Sequence, residues 1–246
     1  MKKLISFIPN LLTLCNLLCG GLSICALLLG GNSLFYVSLF LLLAALFDVL
    51  DGLVARLIGA ESAIGADLDS LSDVVSFGIA PTLLVCYSLK DWFLSGVATD
   101  FFFLIPLFIP ALCGAYRLAR FNNSKEHSSF FTGMPIPANA LFWVGYAFVL
   151  KELSSNETIS PRLLYGLTLL MALVLGFLMV SRFHFLSFKG LSSKTGLARI
   201  VLLAWISLGV LLVFLLLFMG IKALAVFILG YAILSICLNP LIAKKQ

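Results

Sequence analysis

The stretch DVLDGLVARLIGAESAIGADLDSLSD, residues 48–73, sets the organisation of this chain. Six of the 11 acidic residues lie within it, although 62% of the 246 residues are hydrophobic. Asp48 and Asp51 are three positions apart, and Asp69 and Asp73 are four positions apart. Residues at either spacing share one face of a helix. The stretch therefore predicts two helices, folded back on each other, whose acidic faces meet.

The composition of the whole chain is typical of a helical membrane protein. Charged residues make up 11% of it, against about 25% in soluble domains. Several apolar runs approach or exceed the roughly 20 residues with which a helix crosses a bilayer. We therefore expect an all-α integral membrane protein, a polytopic helical bundle that forms a single domain over residues 1–246. The net charge of +5 then reports on membrane topology rather than on nucleic-acid binding.

The apolar runs predict about eight transmembrane helices. Their approximate ranges are 11–29, 34–58, 69–89, 101–118, 136–150, 163–180, 197–219 and 223–242. We expect the third helix to begin near Asp69, which would then gain from the positive end of the helix dipole. We also expect this helix to kink at Pro81.

The distribution of basic residues predicts the topology. Eight spans place both termini on one side of the membrane, and 12 of the 16 Lys and Arg residues fall on that side. The four on the opposite side are Lys90, Lys151, Arg162 and Lys222. Cytoplasmic loops carry the excess of Lys and Arg. Both termini and the acidic stretch are therefore predicted to be cytoplasmic, in a protein integral to the cytoplasmic membrane.

Four clustered carboxylates need a counter-charge. Two unit charges about 4 Å apart repel by roughly 4 kcal/mol at an effective dielectric constant of about 20. Arg56 is the nearby cation in the sequence. Mg²⁺ and Mn²⁺ suit an all-oxygen ligand set, and Mg²⁺ often binds substrate phosphates as well. On physical grounds alone, an interhelical polar network and an ion pathway through a transporter stay open as alternatives.

The fixed positions of the stretch form a longer pattern. It reads Asp48-x-x-Asp51-Gly52-x-x-Ala55-Arg56, then eight residues, then Gly65-x-x-x-Asp69-x-x-x-Asp73. All eight defined positions, and their spacing, resemble the signature of the CDP-alcohol phosphotransferase family. The resemblance implies an integral membrane enzyme with a six-helix catalytic core, usually a homodimer. Such enzymes transfer a phosphoalcohol group from a CDP-linked donor to a hydroxyl acceptor and release CMP.

The resemblance implies that the four aspartates form a metal centre. Asp48, Asp51 and Asp69 are expected to bind divalent metal, two ions of Mg²⁺ or Mn²⁺. Asp73 is expected to complete the metal site. It is also expected to act as the base that takes the proton of the acceptor hydroxyl.

The same resemblance implies a binding site for the CDP moiety. The expected residues are Gly52, Ala55, Arg56, Gly65, Thr13 and Asn10. The two glycines and the alanine would let the cytidine nucleotide lie close to the helices. Arg56 would balance phosphate charge.

Four flanking segments resemble the phosphatidylserine synthase branch of this family. They are residues 7–16, 68–81, 117–122 and 133–138. This branch implies that CDP-diacylglycerol and L-serine react to give phosphatidylserine and CMP. Serine carries a carboxylate and an ammonium group, so its site needs a cation and acceptors beside the metals. Arg117, Arg120 and Asn122 are the residues expected to bind serine.

Two other functions stay open. A member of the same family could use glycerol 3-phosphate or an inositol (phosphate) acceptor, although a doubly charged phosphate calls for a denser basic pocket. Alternatively, the carboxylates could belong to a metal- or proton-coupled transporter. Beyond its substrates and the membrane lipids, we expect the chain to pair as a homodimer and to bind no nucleic acid.

Overall fold

The computed structural model describes residues 7–30, 33–60, 62–93, 100–123, 131–154, 160–186 and 197–243. Glu61 of the acidic stretch lies outside these ranges, as do seven of the basic residues on which the predicted topology depends. These seven are Lys2, Lys3, Lys125, Lys189, Lys194, Lys244 and Lys245.

Helices make up almost all of the described chain, which confirms the all-α class. In chain order they are α1 (Ile8–Leu29), α2 (Ser33–Ile58), α3 (Ala63–Asp73), a π-helical turn (Val74–Ile79), α4 (Ala80–Phe93), α5 (Asp100–Leu104), a 3-10 turn (Ile105–Phe108), α6 (Ile109–Asn122), α7 (Ile136–Ser154), α8 (Pro161–Val180), α9 (Leu197–Met219), a 3-10 turn (Gly220–Lys222) and α10 (Ala223–Ala243). A short antiparallel pair joins β1 (Phe131–Thr132), which precedes α7, to β2 (His184–Phe185), which follows α8.

Six stretches of the described chain are long and apolar enough to cross a membrane, as expected of an integral membrane protein. They are Ile8–Leu29, Ser33–Ile58, Ala63–Leu89, Phe102–Asn122, Arg162–Val180 and Val201–Asn239. The last stretch contains both α9 and α10, with the Gly220–Lys222 turn between them. The predicted fifth span corresponds to α7, whose last turns carry the charged Lys151 and Glu152. The number of eight spans and the side of the termini stay predictions.

The third predicted span begins earlier than expected. α3 starts at Ala63, because Ser62 caps it by accepting a hydrogen bond at Oγ from the Gly65 backbone N–H at 3.0 Å. Serine is among the favoured residues at this position. Asp69 therefore lies almost two turns inside the helix. The expectation that Asp69 begins this helix and gains from its positive end was wrong.

A π-helical turn separates α3 from α4. The Ala80 N–H donates to the carbonyl of Val75, five residues earlier. Pro81 follows directly and has no N–H to donate. The structure thus places a π-helical turn just before the proline at which a kink was predicted. Such turns are frequent at functional sites, and this one begins immediately after Asp73.

α1 is the helix against which the acidic stretch packs. It contacts α2, α3, the π-helical turn and α4. Gly20 permits a close approach, because a Cβ at this position would lie 2.8 Å from the Cα of Ser76. The Ser76 hydroxyl donates to the backbone carbonyl of Asn16 at 3.0 Å. Small residues let membrane helices approach this closely, so the register of α1 against the π-helical turn is fixed.

α7 lies in the interior of the bundle. Phe142, Val144 and Leu150 on this helix are all buried. α7 packs against α4 on one side and α10 on another. Gly145 makes the second contact close, since a Cβ there would lie 2.5 Å from the backbone nitrogen of Ala225. The C-terminal helix is therefore held against the body of the protein.

Candidate active site

Three aspartates from two helices converge at one point. Asp48 and Asp51 come from α2 and Asp69 from α3, and carboxylate oxygens of the three lie within 4.8 Å of one another. Asp51 is buried, whereas Asp48 and Asp69 are half-buried. Asp73 is 5% exposed and lies within electrostatic reach of the other three. The structure therefore brings together the four aspartates that were predicted to form a metal centre.

The connection between α2 and α3 follows from local sequence signals. α2 ends in a Schellman motif, in which Gly59 has a φ of 62°. The Gly59 N–H donates to the Arg56 carbonyl at 3.3 Å, and the Ala60 N–H donates to the Ala55 carbonyl at 2.9 Å. A positive φ favours glycine. Ser62 then caps α3 only three residues later, so the chain reverses sharply and the acidic faces of the two helices meet.

The first helix donates hydrogen bonds to two of the carboxylates. Thr13 Oγ1 donates to Asp51 Oδ2 at 2.6 Å, and Asn16 Nδ2 donates to Asp73 Oδ1 at 3.3 Å. Thr13 and Asn16 are three residues apart and so share a face of α1. Both are buried. One face of α1 thus supports and orients the acidic cluster.

The environment of the aspartates fits a divalent cation. None of the four aspartates forms an ion pair with a described residue, and the Lys222–Glu152 pair belongs to the α9–α10 turn and α7. Asp69 Oδ1 is buried and has no hydrogen-bond partner among the described residues. An unpaired buried charge is costly, and converging carboxylate oxygens are the ligands that hard divalent cations prefer. Asp48, Asp51 and Asp69 can therefore hold such an ion.

The two glycines predicted to adjoin the nucleotide have different surroundings. A Cβ added to Gly52 would meet no atom within 4 Å, so there is open space beside this residue. A Cβ on Gly65 would lie 3.0 Å from Ser62 Oγ and 3.1 Å from Asn10 Oδ1. Gly65 thus packs closely against these two side chains, and Asn10 lies beside the start of α3.

The other residues predicted to bind CDP lie on α2 and α1. Ala55 is half-buried and Arg56 is exposed on the last turns of α2. Thr13 is directed towards Asp51, to which it donates its hydrogen bond. The contacts of these residues with a nucleotide stay predictions.

Arg117, one of three residues predicted to bind serine, lies within the protein near the aspartates. Its side chain is 7% exposed, and its Nε has no hydrogen-bond partner in the part of the chain that the structure describes. Asp73 and Tyr231 are within electrostatic reach of its guanidinium group. A buried guanidinium within electrostatic reach of the predicted base is well placed to bind an anionic group of a substrate.

Arg120 and Asn122, the other two, make contacts that hold helices together. Arg120 Nη1 donates to the carbonyl of Val180 at the end of α8, at 3.2 Å. Asn122 Nδ2 donates to Ser70 Oγ on α3 at 2.9 Å. These bonds fix the end of α6 beside the acidic cluster. A role of either side chain in binding serine stays a prediction.

The sequence reasoning gave no role to Asn16, which the structure places on the predicted base. Asn16 lies outside the eight-position pattern, and its partner Asp73 is 57 residues away in the chain. The available signal was its spacing of three from Thr13 within an otherwise apolar span. Polar side chains in a membrane helix generally face the bundle interior and find partners there.

Comparisons with known proteins identify a family and several relatives. A family profile described as CDP-alcohol phosphatidyltransferase matches residues 6–180, which contain α1 to α8. A CDP-diacylglycerol–serine O-phosphatidyltransferase of Methanocaldococcus jannaschii is 38% identical over 181 residues, 74% of each chain. A protein of the same name from Bacillus subtilis is 32% identical over 184 residues, 75% of this chain and 92% of that one. An archaetidylserine synthase of Methanothermobacter thermautotrophicus is 43% identical over 146 residues, 57% of this chain and 58% of that one.

Proposed function

Since the chain belongs to the CDP-alcohol phosphatidyltransferase family, we propose that it transfers the phosphatidyl group of CDP-diacylglycerol to the hydroxyl group of L-serine, giving phosphatidylserine and CMP. The observation that carries this proposal is the convergence of three aspartates within 4.8 Å, next to a fourth that is buried. This site lies in a chain that is similar over about three quarters of its length to relatives named for serine transfer.

We propose that Asp48, Asp51 and Asp69 hold divalent metal, as two ions of Mg²⁺ or Mn²⁺. Such a cation, when bound, would neutralise the charge of the donor pyrophosphate and stabilise the departing CMP. The buried and unpartnered Oδ1 of Asp69 supports this assignment. Thr13 helps to hold the Asp51 carboxylate in position through its hydrogen bond.

Asp73 is proposed as the base. Its carboxylate accepts the proton of the serine hydroxyl, and the serine oxygen forms a bond to the phosphorus that carries diacylglycerol. The bond from this phosphorus to CMP breaks, and the electron pair leaves with CMP. The hydrogen bond from Asn16 to Asp73 Oδ1 supports this role, because it fixes the orientation of the carboxylate.

The CDP moiety is proposed to lie over α2. A Cβ at Gly52 would meet no atom within 4 Å, and this open space beside the neighbour of Asp51 in the chain supports the proposal. Ala55 and Arg56 lie on the turn that follows, and Arg56 is exposed and can approach phosphate oxygens. Gly65, Asn10 and Thr13 complete the proposed CDP site.

Serine is supported as the acceptor by the names of the relatives. The three proteins described above share serine in their names and differ in the lipid, which is diacylglycerol in two and archaetidyl in the third. We propose that Arg117 binds the serine carboxylate, with Arg120 and Asn122 as further candidates at the same end of α6. A homodimer, with the active site facing the cytoplasm at the cytoplasmic membrane, completes the proposal.

One assay tests this function against its alternatives. Purified protein would be given CDP-diacylglycerol and Mg²⁺ or Mn²⁺, with L-serine, glycerol 3-phosphate, inositol, inositol phosphate or no acceptor, and CMP would be measured. We expect CMP release that depends on serine. Release that depends on another acceptor would assign a different member of the family. Absence of CMP with every acceptor would favour a transporter.

A further inference from the structure

Asn16 carries an unused hydrogen-bond acceptor next to the predicted base. Its side chain is fully buried, and Nδ2 donates to Asp73 Oδ1 at 3.3 Å. A carboxylate only accepts hydrogen bonds, so the amide nitrogen must face Asp73 and the amide oxygen must face elsewhere. That oxygen, Oδ1, has no partner within the described residues. Buried polar atoms are generally paired, so an unpaired one beside a catalytic group indicates a ligand contact.

The position of Asn16 is fixed from both sides. Its backbone carbonyl accepts a hydrogen bond from Ser76 Oγ at 3.0 Å. The close approach of Gly20 to Ser76 holds the same part of α1 against the π-helical turn. Asn16 therefore cannot turn its amide oxygen towards another partner without breaking its bond to Asp73.

Arg117 carries the complementary unused donor. It is 7% exposed, its Nε is unpartnered among the residues that the structure describes, and Asp73 lies within electrostatic reach. Asp73 is thus bonded to a residue of α1 that has a free acceptor, and lies within electrostatic reach of a residue of α6 that has a free donor. An acceptor and a cationic donor complement the two charged groups of an amino acid, since its ammonium group donates hydrogen bonds and its carboxylate accepts them.

The last described helix reaches the Arg117 side of the site. Tyr231 of α10 lies within electrostatic reach of the guanidinium. The Tyr231 hydroxyl donates to the Leu186 carbonyl at 3.0 Å, and the Leu186 N–H donates to Ser235 Oγ at 3.3 Å. α10 lies beyond the residues matched by the family profile, and yet Tyr231 on this helix lies within electrostatic reach of Arg117. Tyr231 thus lies near Arg117, while its own hydroxyl is bonded to the Leu186 carbonyl.

We propose that Asn16 and Arg117 recognise the acceptor as a zwitterion. Asn16 Oδ1 accepts a hydrogen bond from the acceptor ammonium group, and Arg117 binds its carboxylate. The acceptor hydroxyl is then held at Asp73, between the two contacts. This inference rests on the proposed function and adds to it Asn16 as the residue that selects for the ammonium group of the acceptor.

The test uses two serine analogues that each lack one charged group. L-Serinamide has no carboxylate, and 3-hydroxypropanoate has no ammonium group. We would measure kcat and KM for CMP release with serine and with each analogue, using the full-length protein in detergent. The wild type is expected to use either analogue roughly 10- to 100-fold less efficiently than serine, since each lacks one charge-assisted hydrogen bond.

Two variants assign each contact to its residue. Arg117→Gln is expected to remove the preference for serine over serinamide, and Asn16→Leu to remove the preference for serine over 3-hydroxypropanoate. The loss of preference is expected in KM. Because Asn16 also orients Asp73, Asn16→Leu should in addition lower kcat with every acceptor. Matched controls are Arg162→Gln, at the exposed start of α8, and Ser23→Ala, at a buried polar position of α1; both should keep the wild-type preferences.

The outcomes separate this inference from the function on which it rests. No serine-dependent CMP release by the wild type would overturn the proposed function. Two results would overturn the inference alone. In the first, the wild type releases CMP with serine but uses one of the analogues as efficiently as serine. In the second, both variants retain the wild-type preferences. If Arg117→Gln fails to fold, Arg117→Lys tests the same contact, because it keeps the charge and loses the fork geometry. The wild-type comparison of serine with its analogues tests recognition of the two charged groups without any variant, and the variants assign this recognition to Arg117 and Asn16.

Discussion

Asp48 and Asp73 belong to one acidic cluster but differ in their surroundings. Asp48 is half-buried and belongs to the three converging carboxylates that can hold a cation. Asp73 is 5% exposed and receives a hydrogen bond from Asn16. A ligand of the metal and a proton acceptor should fail in different ways when their charge is removed.

Asp73→Asn is expected to abolish CMP release and to leave metal-dependent binding of CDP-diacylglycerol. The amide keeps the size of the side chain but cannot accept the proton of the acceptor hydroxyl. Asp48→Asn is the matched variant and should lose donor binding as well, because it removes a metal ligand. CMP release and binding of labelled donor, with and without metal, would be measured for both. An equal loss of donor binding in the two variants would contradict the role of Asp73 as base.

Thr13→Val is expected to weaken the apparent metal affinity by roughly 10- to 100-fold. The change keeps the volume of the side chain and removes the hydroxyl that donates to Asp51 Oδ2 at 2.6 Å. Thr82→Val is the control, since Thr82 is also buried but bonds to the carbonyl of Gly78 in its own helical segment. Titration of CMP release with Mg²⁺ checks the prediction. It fails if both variants need the same Mg²⁺ concentration.

At the scale of elements, the contact of α1 with the π-helical turn decides the geometry of the site. α1 supplies Thr13 and Asn16, and the π-helical turn begins directly after Asp73. The two segments meet where Gly20 faces Ser76. A shift of either segment would separate Asn16 from Asp73, so the hydrogen bonds of the site depend on helix packing.

Gly20→Ala is expected to destabilise the protein by about 1–3 kcal/mol and to lower kcat. The added Cβ would lie 2.8 Å from the Cα of Ser76, so one helix must move. The adjacent Gly21→Ala is a matched control, because a Cβ there meets no atom within 4 Å. Thermal unfolding in detergent and CMP release would be measured for both variants. Similar melting temperatures for the two would show that the close contact of α1 does not constrain the fold.

At the scale of the molecule, negative charge is concentrated where four helices meet. The four aspartates come from α2 and α3, their hydrogen-bond donors come from α1, and the buried Arg117 comes from α6. Holding the four charges together without a cation costs free energy through mutual repulsion. Metal binding is therefore expected to stabilise the whole bundle.

Removal of divalent metal with a chelator is expected to abolish CMP release and to lower the melting temperature. At 100 times its dissociation constant, a ligand that binds only the folded state stabilises it by about 2.7 kcal/mol. Thermal unfolding would be followed with and without Mg²⁺ or Mn²⁺. The Asp48→Asn variant should show a smaller metal-dependent shift than the wild type. A melting temperature that does not respond to metal in the wild type would argue against the proposed centre.

Much of the fold and of the acidic site could be predicted because its signals are local. The composition indicates a helical membrane protein, and spacings of three and four place each pair of aspartates on one helix face. The end of α2 also has a local signal, because it needs a positive φ and the residue there is Gly59. The prediction placed the start of α3 near Asp69, whereas the helix begins at Ala63. Ser62 caps it there, ahead of the apolar pattern on which the prediction relied.

The sequence by itself determined the membrane class, the acidic cluster and the resemblance to a family, because these depend on composition and on residues close together in the chain. Only the tertiary structure decided which polar side chains reach the cluster. Asn16 meets Asp73 across 57 residues, and Arg120 bonds to the end of α8 across 60, whereas Arg117 remains buried with an unpartnered Nε among the described residues. Such contacts depend on how the helices pack, and for α1 that packing is fixed where a glycine lets it approach the π-helical turn. The predicted metal centre is thus a property of residues 48–73, and the proposed choice of acceptor is a property of the packed bundle.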